Sequence, residues 1–175
     1  MDLRLVQDYI RACTKMEKEE FVKELGVPVL IGESKGVGLS FSWGQTALTP
    51  EQRKSPLTRE LIRDGHQLPV MELRQQQPGP AGQVRVGRTK ENDLLVAHET
   101  VSSRHAVFQR TDPDDTYSLQ DLASMNGTRV NDGRLVVGKS VVLFDGDVLA
   151  FGDPVFLFFY PGGLYDVLRA SLDSF

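Results

Sequence analysis

From Leu68 onward the chain is a succession of short apolar or alternating runs, cut every few residues by Gly, Asp, Asn or Pro. The runs cover residues 68–74, 84–87, 94–97, 105–110, 116–121, 128–131, 140–144, 147–151 and 155–160. Strands of this length, evenly spaced and separated by turn residues, predict an all-β sandwich or barrel. Gln75 to Gly82, with Pro78-Gly79-Pro80 inside it, reads as a loop between two of them.

The two ends of the chain change period. Residues 2–25 read as helix: Leu3, Val6, Ile10 and Cys13 recur at spacings of three and four, and Phe21, Val22 and Leu25 resume an apolar face. Thr14 marks a break between two helices, and Gly26 followed by Pro28 ends the second. Two strand-like runs follow, Val27 to Ile31 and Val37 to Trp43, with Gly32 to Gly36 as a hairpin loop. Thr46 to His66 is polar, with Thr49-Pro50 as a helix-start signal. The tail regains helical spacing through Leu164, Val167, Leu168 and Leu172. The expected organisation is an extension over 1–66 packed on the sandwich, a β domain over 67–162 and a C-terminal helix over 163–175.

Composition removes several classes of function. The chain has 175 residues, 40% hydrophobic and 25% charged, as for an ordinary globular protein. Its formal net charge of −4 argues against a general nucleic-acid binder, which needs a basic surface to displace counterions. The longest apolar run, Pro154 to Tyr160, is too short to span a bilayer, so no membrane insertion is expected. The first residues are mixed in charge, unlike a signal peptide. One cysteine, Cys13, allows neither an internal disulfide nor a cysteine-rich zinc site. Together these point to a cytoplasmic protein with no metal and no cofactor.

Polar groups gather where the runs end. Gly87-Arg88 closes one run, Ser102-Ser103-Arg104-His105 precedes another, and Ser124-Met125-Asn126-Gly127-Thr128 turns between two more. An arginine fork, short hydroxyls and turn N–H groups, held on loops at strand ends, are what a phosphate monoester requires. Asn126-Gly127 is also a hairpin signal in its own right.

Rival chemistries lack their motifs. Gly36-Val37-Gly38-Leu39-Ser40 has neither the Gly-Lys-Ser/Thr ending of a phosphate-binding loop nor the pattern of a hydrolase elbow. His66, His98 and His105 lack helical pairing for zinc, and Asp112, Asp114 and Asp115 read as a solvated turn. No nucleophile has an evident base, so the chain is read as a non-enzyme; an active site in the N-terminal region is the weakest alternative.

The ordered set Gly87-Arg88, Asn92-Asp93, Val101-Ser102-x-x-His105-Ala106, Asp121-Leu122-x-Ser124-x-Asn126-Gly127-Thr128, Val130-Asn131, Asp145-Gly146-Asp147 and Phe151-Gly152 resembles the forkhead-associated (FHA) family over about Leu68 to Tyr160. The N-terminal and C-terminal helices resemble extensions on some small bacterial members.

The resemblance implies a mainly β fold: an FHA-like β-sandwich of two antiparallel sheets with added N-terminal and C-terminal helices. It also implies a phosphothreonine-peptide adaptor in Ser/Thr kinase signalling, whose partner is a phosphothreonine-containing protein such as a kinase or its substrate. Position by position, Arg88 and Ser102 are the expected phosphate ligands, with Arg104 assisting as a second phosphate contact and Ser103 beside them, and Asn126 the ligand of the peptide backbone. Gly87, His105, Gly127, Thr128 and Asn131 are expected to support the site, and residues 131–134 to read side chains after the phosphothreonine.

Met125 departs from the pattern: threonine or serine is common there in the family, and a thioether donates no hydrogen bond. Ser103 stands where a basic residue or asparagine is common. The alternative is a phospho-independent interaction domain that kept the fold and lost the ligand. Neither the partner nor the oligomeric state follows from the sequence.

Overall fold

The computed structural model describes residues 4–32, 67–111 and 115–172. The strand read at Val37 to Trp43, the hairpin loop before it, the helix signal at Thr49-Pro50 and the Asp112–Asp114 turn lie outside the described residues.

Each strand expected after Leu68 is present. They are β3 (Pro69–Glu72), β4 (Gln83–Gly87), β5 (Leu94–Leu95), β6 (Ala106–Thr111), β7 (Thr116–Asp121), β8 (Thr128–Val130), β10 (Ser140–Val142), β11 (Asp147–Phe151) and β12 (Val155–Phe159). Three two- to four-residue strands complete the set: β1 (Arg4–Leu5), β2 (Val29–Gly32) and β9 (Gly133–Arg134). The helices are α1 (Val6–Cys13), α2 (Lys18–Leu25) and α3 (Pro161–Leu172).

The strands form two sheets, β1-β3-β2-β12-β11-β8-β9 and β10-β7-β6-β4-β5. Every ladder is antiparallel except one: β5 runs parallel to β4, with Val86 opposite Leu94 and Gly87 opposite Leu95. The intervening loop carries Arg88, so this crossover returns the chain beside the strand it has just left.

Alternation decides which face each strand buries. Val84, Val86, Ala106, Phe108, Tyr117 and Leu119 of the five-stranded sheet meet Leu30, Val130, Leu149, Phe151, Phe156 and Phe158 of the other. Phe108 stacks on Phe158 with centroids 6.5 Å apart, and Phe151 meets Phe108 edge-on.

The seven-stranded sheet is apolar on its outer face as well. Val29, Ile31, Val70, Leu157 and Phe159 lie under Val6, Tyr9 and Cys13 of α1, Phe21 and Leu25 of α2, and Leu164, Tyr165 and Leu168 of α3. The molecule therefore has three layers, sheet on sheet on helices. This is why Val155 to Phe159 reads as an unbroken apolar run: its residues serve two cores in turn. Burial pushes the Cys13 thiol up to about 12, so it packs as an apolar side chain.

The N-terminal helix is interrupted as the Thr14 signal implies, with α1 ending at Cys13 and α2 starting at Lys18. Gly26 stops α2 at φ 67°, donating its N–H to Val22. The buried stripe of α1 is Val6, Tyr9 and Cys13; Ile10, assigned to it by spacing, is only half-buried. Tyr9 takes the inner position because its hydroxyl finds an acceptor there, donating to Glu72 on β3 at 2.8 Å.

Candidate functional site

Three loops converge at one end of the sandwich. They are 88–93 after β4, 96–105 before β6 and 122–127 between β7 and β8. Arg88 donates its backbone N–H to the Ser102 carbonyl at 3.0 Å, joining the first loop to the second. Met125 donates its N–H to the Ser102 hydroxyl at 3.0 Å, joining the second to the third. Asn126 donates from Nδ2 to the Thr100 carbonyl at 2.8 Å, a second tie between the same two loops. Ser102 is the hub: its carbonyl, amide and hydroxyl each hold a different part of the site.

His105 braces that hub from below. It is fully buried, accepts the Ser102 N–H on Nδ1 at 3.0 Å, and lies 3.1 Å from the Gly127 carbonyl through Nε2. An Nδ1 that accepts leaves the ring proton on Nε2, so the imidazole is neutral and donates to Gly127. Burial holds its pKa below the usual histidine range, against the opposing bond to Gly127 and the charge of Asp121.

Asp121 organises the third loop. Its carboxylate accepts from the Ser124 hydroxyl and N–H and from the buried Thr128 hydroxyl at 2.6 Å. Burial pushes this carboxyl up, but the Ser124 and Thr128 bonds outweigh it and hold the group below the usual range. Asp93 does the same for the first loop, accepting from the N–H groups of Gln76, Gln77 and Arg85, each at 2.7 Å. There too the bonds outweigh burial.

Gly87 has no room for a side chain. A Cβ there would lie 2.2 Å from the Ser103 carbonyl and 2.6 Å from Nδ2 of Asn92, which itself donates to that carbonyl at 2.6 Å. Gly127 takes φ 81° and packs against the Arg134 guanidinium. Asn131, at φ 54°, donates to Asp147 and accepts the Val148 N–H, both at 3.0 Å. It ties β8 to β11 away from the loop cluster.

The structure thus brings Gly87, Arg88, Ser102, Ser103, His105, Asn126, Gly127 and Thr128 into one connected network, with Asn131 behind it. Arg104 departs from its sequence neighbours, lining a depression on the flank with Leu122, Ala123 and Val137. Arg88, Arg104 and Arg134 are exposed, and no acceptor for any of their guanidiniums is present among the described residues. Met125 is 87% exposed.

Sequence reasoning quoted Asn92, Asp93 and Asp121 as pattern without giving them work, and missed Thr100 altogether. Thr100 takes the Asp153 N–H on its hydroxyl at 2.9 Å, so the turn after β11 closes on the site too. Nothing in a one-dimensional pattern marks a threonine that acts through its carbonyl. Among the described residues no cluster of His, Cys, Asp or Glu could hold a metal, and no helix is long and apolar enough to cross a membrane.

The two-sheet sandwich thus carries braced polar loops at one end, with arginines whose guanidiniums are unpaired among the described residues. Residues 84–152 match the family model of the FHA domain. It is 38% identical over 74 residues to an ABC transporter ATP-binding/permease protein of Mycobacterium tuberculosis, covering 42% of this chain and 8% of that one. It is 34% identical over 88 residues to the transcriptional regulatory protein EmbR of the same species, covering 50% of this chain and 22% of EmbR. The chain matches less than a quarter of the length of either. A solved structure of Mycobacterium tuberculosis EmbR in complex with a low-affinity phosphopeptide is similar at a TM-score of 0.41 and 35% identity, covering 47% of this chain and 21% of that one.

Proposed function

We propose that this FHA domain binds phosphothreonine peptides and serves as a non-catalytic adaptor in Ser/Thr kinase signalling in a bacterial cytoplasm. Arg88 and Ser102 hold the phosphate, Ser103 assists, and Asn126 holds the peptide backbone. The partner is a phosphorylated protein, a kinase or its substrate.

The observation that carries this reading is the contrast between framework and arginines. The buried polar groups supporting the loops are committed internally: Asp93, Asp121, His105 and Asn92 all point their bonds into the fold. Arg88, one residue beyond Gly87, has its backbone fixed by Ser102 and its guanidinium unpaired among the described residues. A cation pre-positioned without a partner suits a dianion brought from outside. Ser102 fits beside it: its oxygen already accepts from Met125, so its own proton is available to donate. Asn126 uses Nδ2 on Thr100, which leaves Oδ1 to accept a peptide N–H.

Titration calorimetry with matched phosphothreonine, phosphoserine and unphosphorylated peptides is the test. Phosphothreonine binds best, and Arg88→Ala lowers affinity by about a hundredfold, the loss of two charge-assisted bonds at roughly 1.5 kcal/mol each. Equal binding of all three peptides, unchanged in Arg88→Ala, would establish the second reading, a phospho-independent interaction domain. The Met125 side chain, exposed and without a donor, favours that reading.

A further inference from the structure

We propose that the depression on the flank of the 122–127 loop is a side-chain subsite for a glutamate of the bound peptide, close in sequence to the phosphothreonine, and that Arg104 selects it. This rests on the phosphopeptide reading above.

The depression is open and shallow, and is lined by Arg104, Gln120, Asp121, Leu122, Ala123 and Val137. Its polar walls are already satisfied. The Gln120 amide donates to the Gly138 carbonyl at 3.0 Å. The Asp121 carboxylate is buried and bonded to Ser124 and Thr128. What remains open is apolar surface from Leu122, Ala123 and Val137, plus one charge, the Arg104 guanidinium, unpaired among the described residues. Val137 is 58% exposed and its neighbour Val136 63%.

An apolar floor with one cation at its mouth fits a side chain with an aliphatic stem and a carboxylate tip. Glutamate has that shape. Aspartate reaches less far, and lysine places like charge on Arg104.

Position links the depression to the phosphate site. Arg104 is two residues from Ser102, and Ala123 is two residues from Met125, whose N–H bonds the Ser102 hydroxyl. Two residues of extended chain span at most about 7 Å, so a peptide anchored at Ser102 reaches the depression within one or two residues. Ala123 holds φ 58°, a left-handed conformation unusual for alanine, kept by the Asp121–Ser124 bonds directly after it. Strain held in place beside a binding loop is consistent with a shaped site.

The experiment is a phosphothreonine peptide array in which each position within three residues of the phosphothreonine carries Glu, Asp, Gln or Lys in turn. It is read with the wild-type chain and with Arg104→Gln, Arg104→Glu and Arg88→Ala. Arg104 is exposed and its guanidinium is unpaired among the described residues, and thermal melting of each variant checks that it folds. One position close to the phosphothreonine should prefer Glu over Gln by up to about fivefold, the range of an exposed ion pair, with Asp between them and Lys last. Arg104→Gln levels Glu and Gln there while keeping the preference for phosphorylated over unphosphorylated peptide; Arg104→Glu turns the preference to Lys.

A flat scan in a wild-type chain that still needs phosphate and Arg88 overturns the subsite alone. So does a loss in Arg104→Gln that is equal for every phosphopeptide, because that makes Arg104 a phosphate ligand. Wild-type binding that ignores phosphorylation overturns the subsite and the parent reading together.

Discussion

At residue scale the site depends on which hydrogen-bond roles are already filled. Met125 contributes its backbone N–H to Ser102 and nothing from its side chain. Met125→Thr keeps that N–H and adds a hydroxyl at the loop tip. Calorimetry with a phosphothreonine peptide should show tighter binding by about tenfold, one added bond to a charged group, while binding of unphosphorylated peptide stays unchanged.

His105 makes a second residue-scale prediction, in pH. Its folded pKa lies below its unfolded one, so between the two the unfolded chain binds more protons than the native chain. Its contribution to stability is whole above about pH 6.5 and declines as pH falls. Asp93, Asp121 and Glu72 have lowered pKa values, so their contributions are whole above the ordinary carboxylate range and fall away only below it. Urea denaturation at pH 7.5 and pH 5.5 should therefore show a loss of stability that His105→Gln largely removes. A loss of the same size in that variant would place the titrating group elsewhere.

At element scale, strand β12 carries two cores on alternating residues. Phe158→Ala opens the cavity between the sheets, and Leu157→Ala opens one under the helices. Each should lower stability by about 2–5 kcal/mol. Only the first touches the core beneath the site, through Phe108 and Phe151, and should weaken phosphopeptide binding at temperatures where both variants remain folded. Gly87→Ala drives a methyl into the Ser103 carbonyl; loss of peptide binding together with destabilisation, read by calorimetry and thermal melting, is the expected result.

The same scale shows what was legible in the sequence. The strands after Leu68 could be read because alternation and turn residues are local signals, and local contacts set them. β9 was too short to show a period. The parallel β4–β5 ladder was hidden because a turn sequence does not name the strand the chain returns to. Spacing gave α1 a stripe through Ile10, whereas the bond from Tyr9 to Glu72, 63 positions away, rotates the helix to put Tyr9 inside. In the site, Gly87, Ser102 and His105 could be read as a set because one network binds them. Arg104 could not be separated from Ser103 in a linear motif, though Arg104 lines the depression with Leu122, Ala123 and Val137 while the Ser103 carbonyl accepts from Asn92.

At the scale of the whole molecule, the segment before residue 67 supplies β1 and β2 to the larger sheet, and α1 and α2 to the layer that covers it. We propose that it belongs to the same folding unit as the sandwich. β2 lies between β3 and β12, pairing Val29, Leu30 and Ile31 with both. Removing it opens two strand edges and uncovers Val70, Leu157 and Phe159. A fragment beginning at residue 68 should aggregate or melt far below the full chain; a monomeric fragment with unchanged melting would show instead that the segment is dispensable.

The seam between the two ends of the chain also sets an order of events during synthesis. Lys18 and Asp166, paired across the helical layer, are 148 positions apart. At about 5–20 residues per second a ribosome needs on the order of ten seconds to make the stretch between them. Throughout that interval β2 has made neither its bonds to β12 nor its cover by α3. Closing contacts so distant is slow on entropic grounds. The growing chain is therefore most exposed to misassociation until β12 and α3 have both been made.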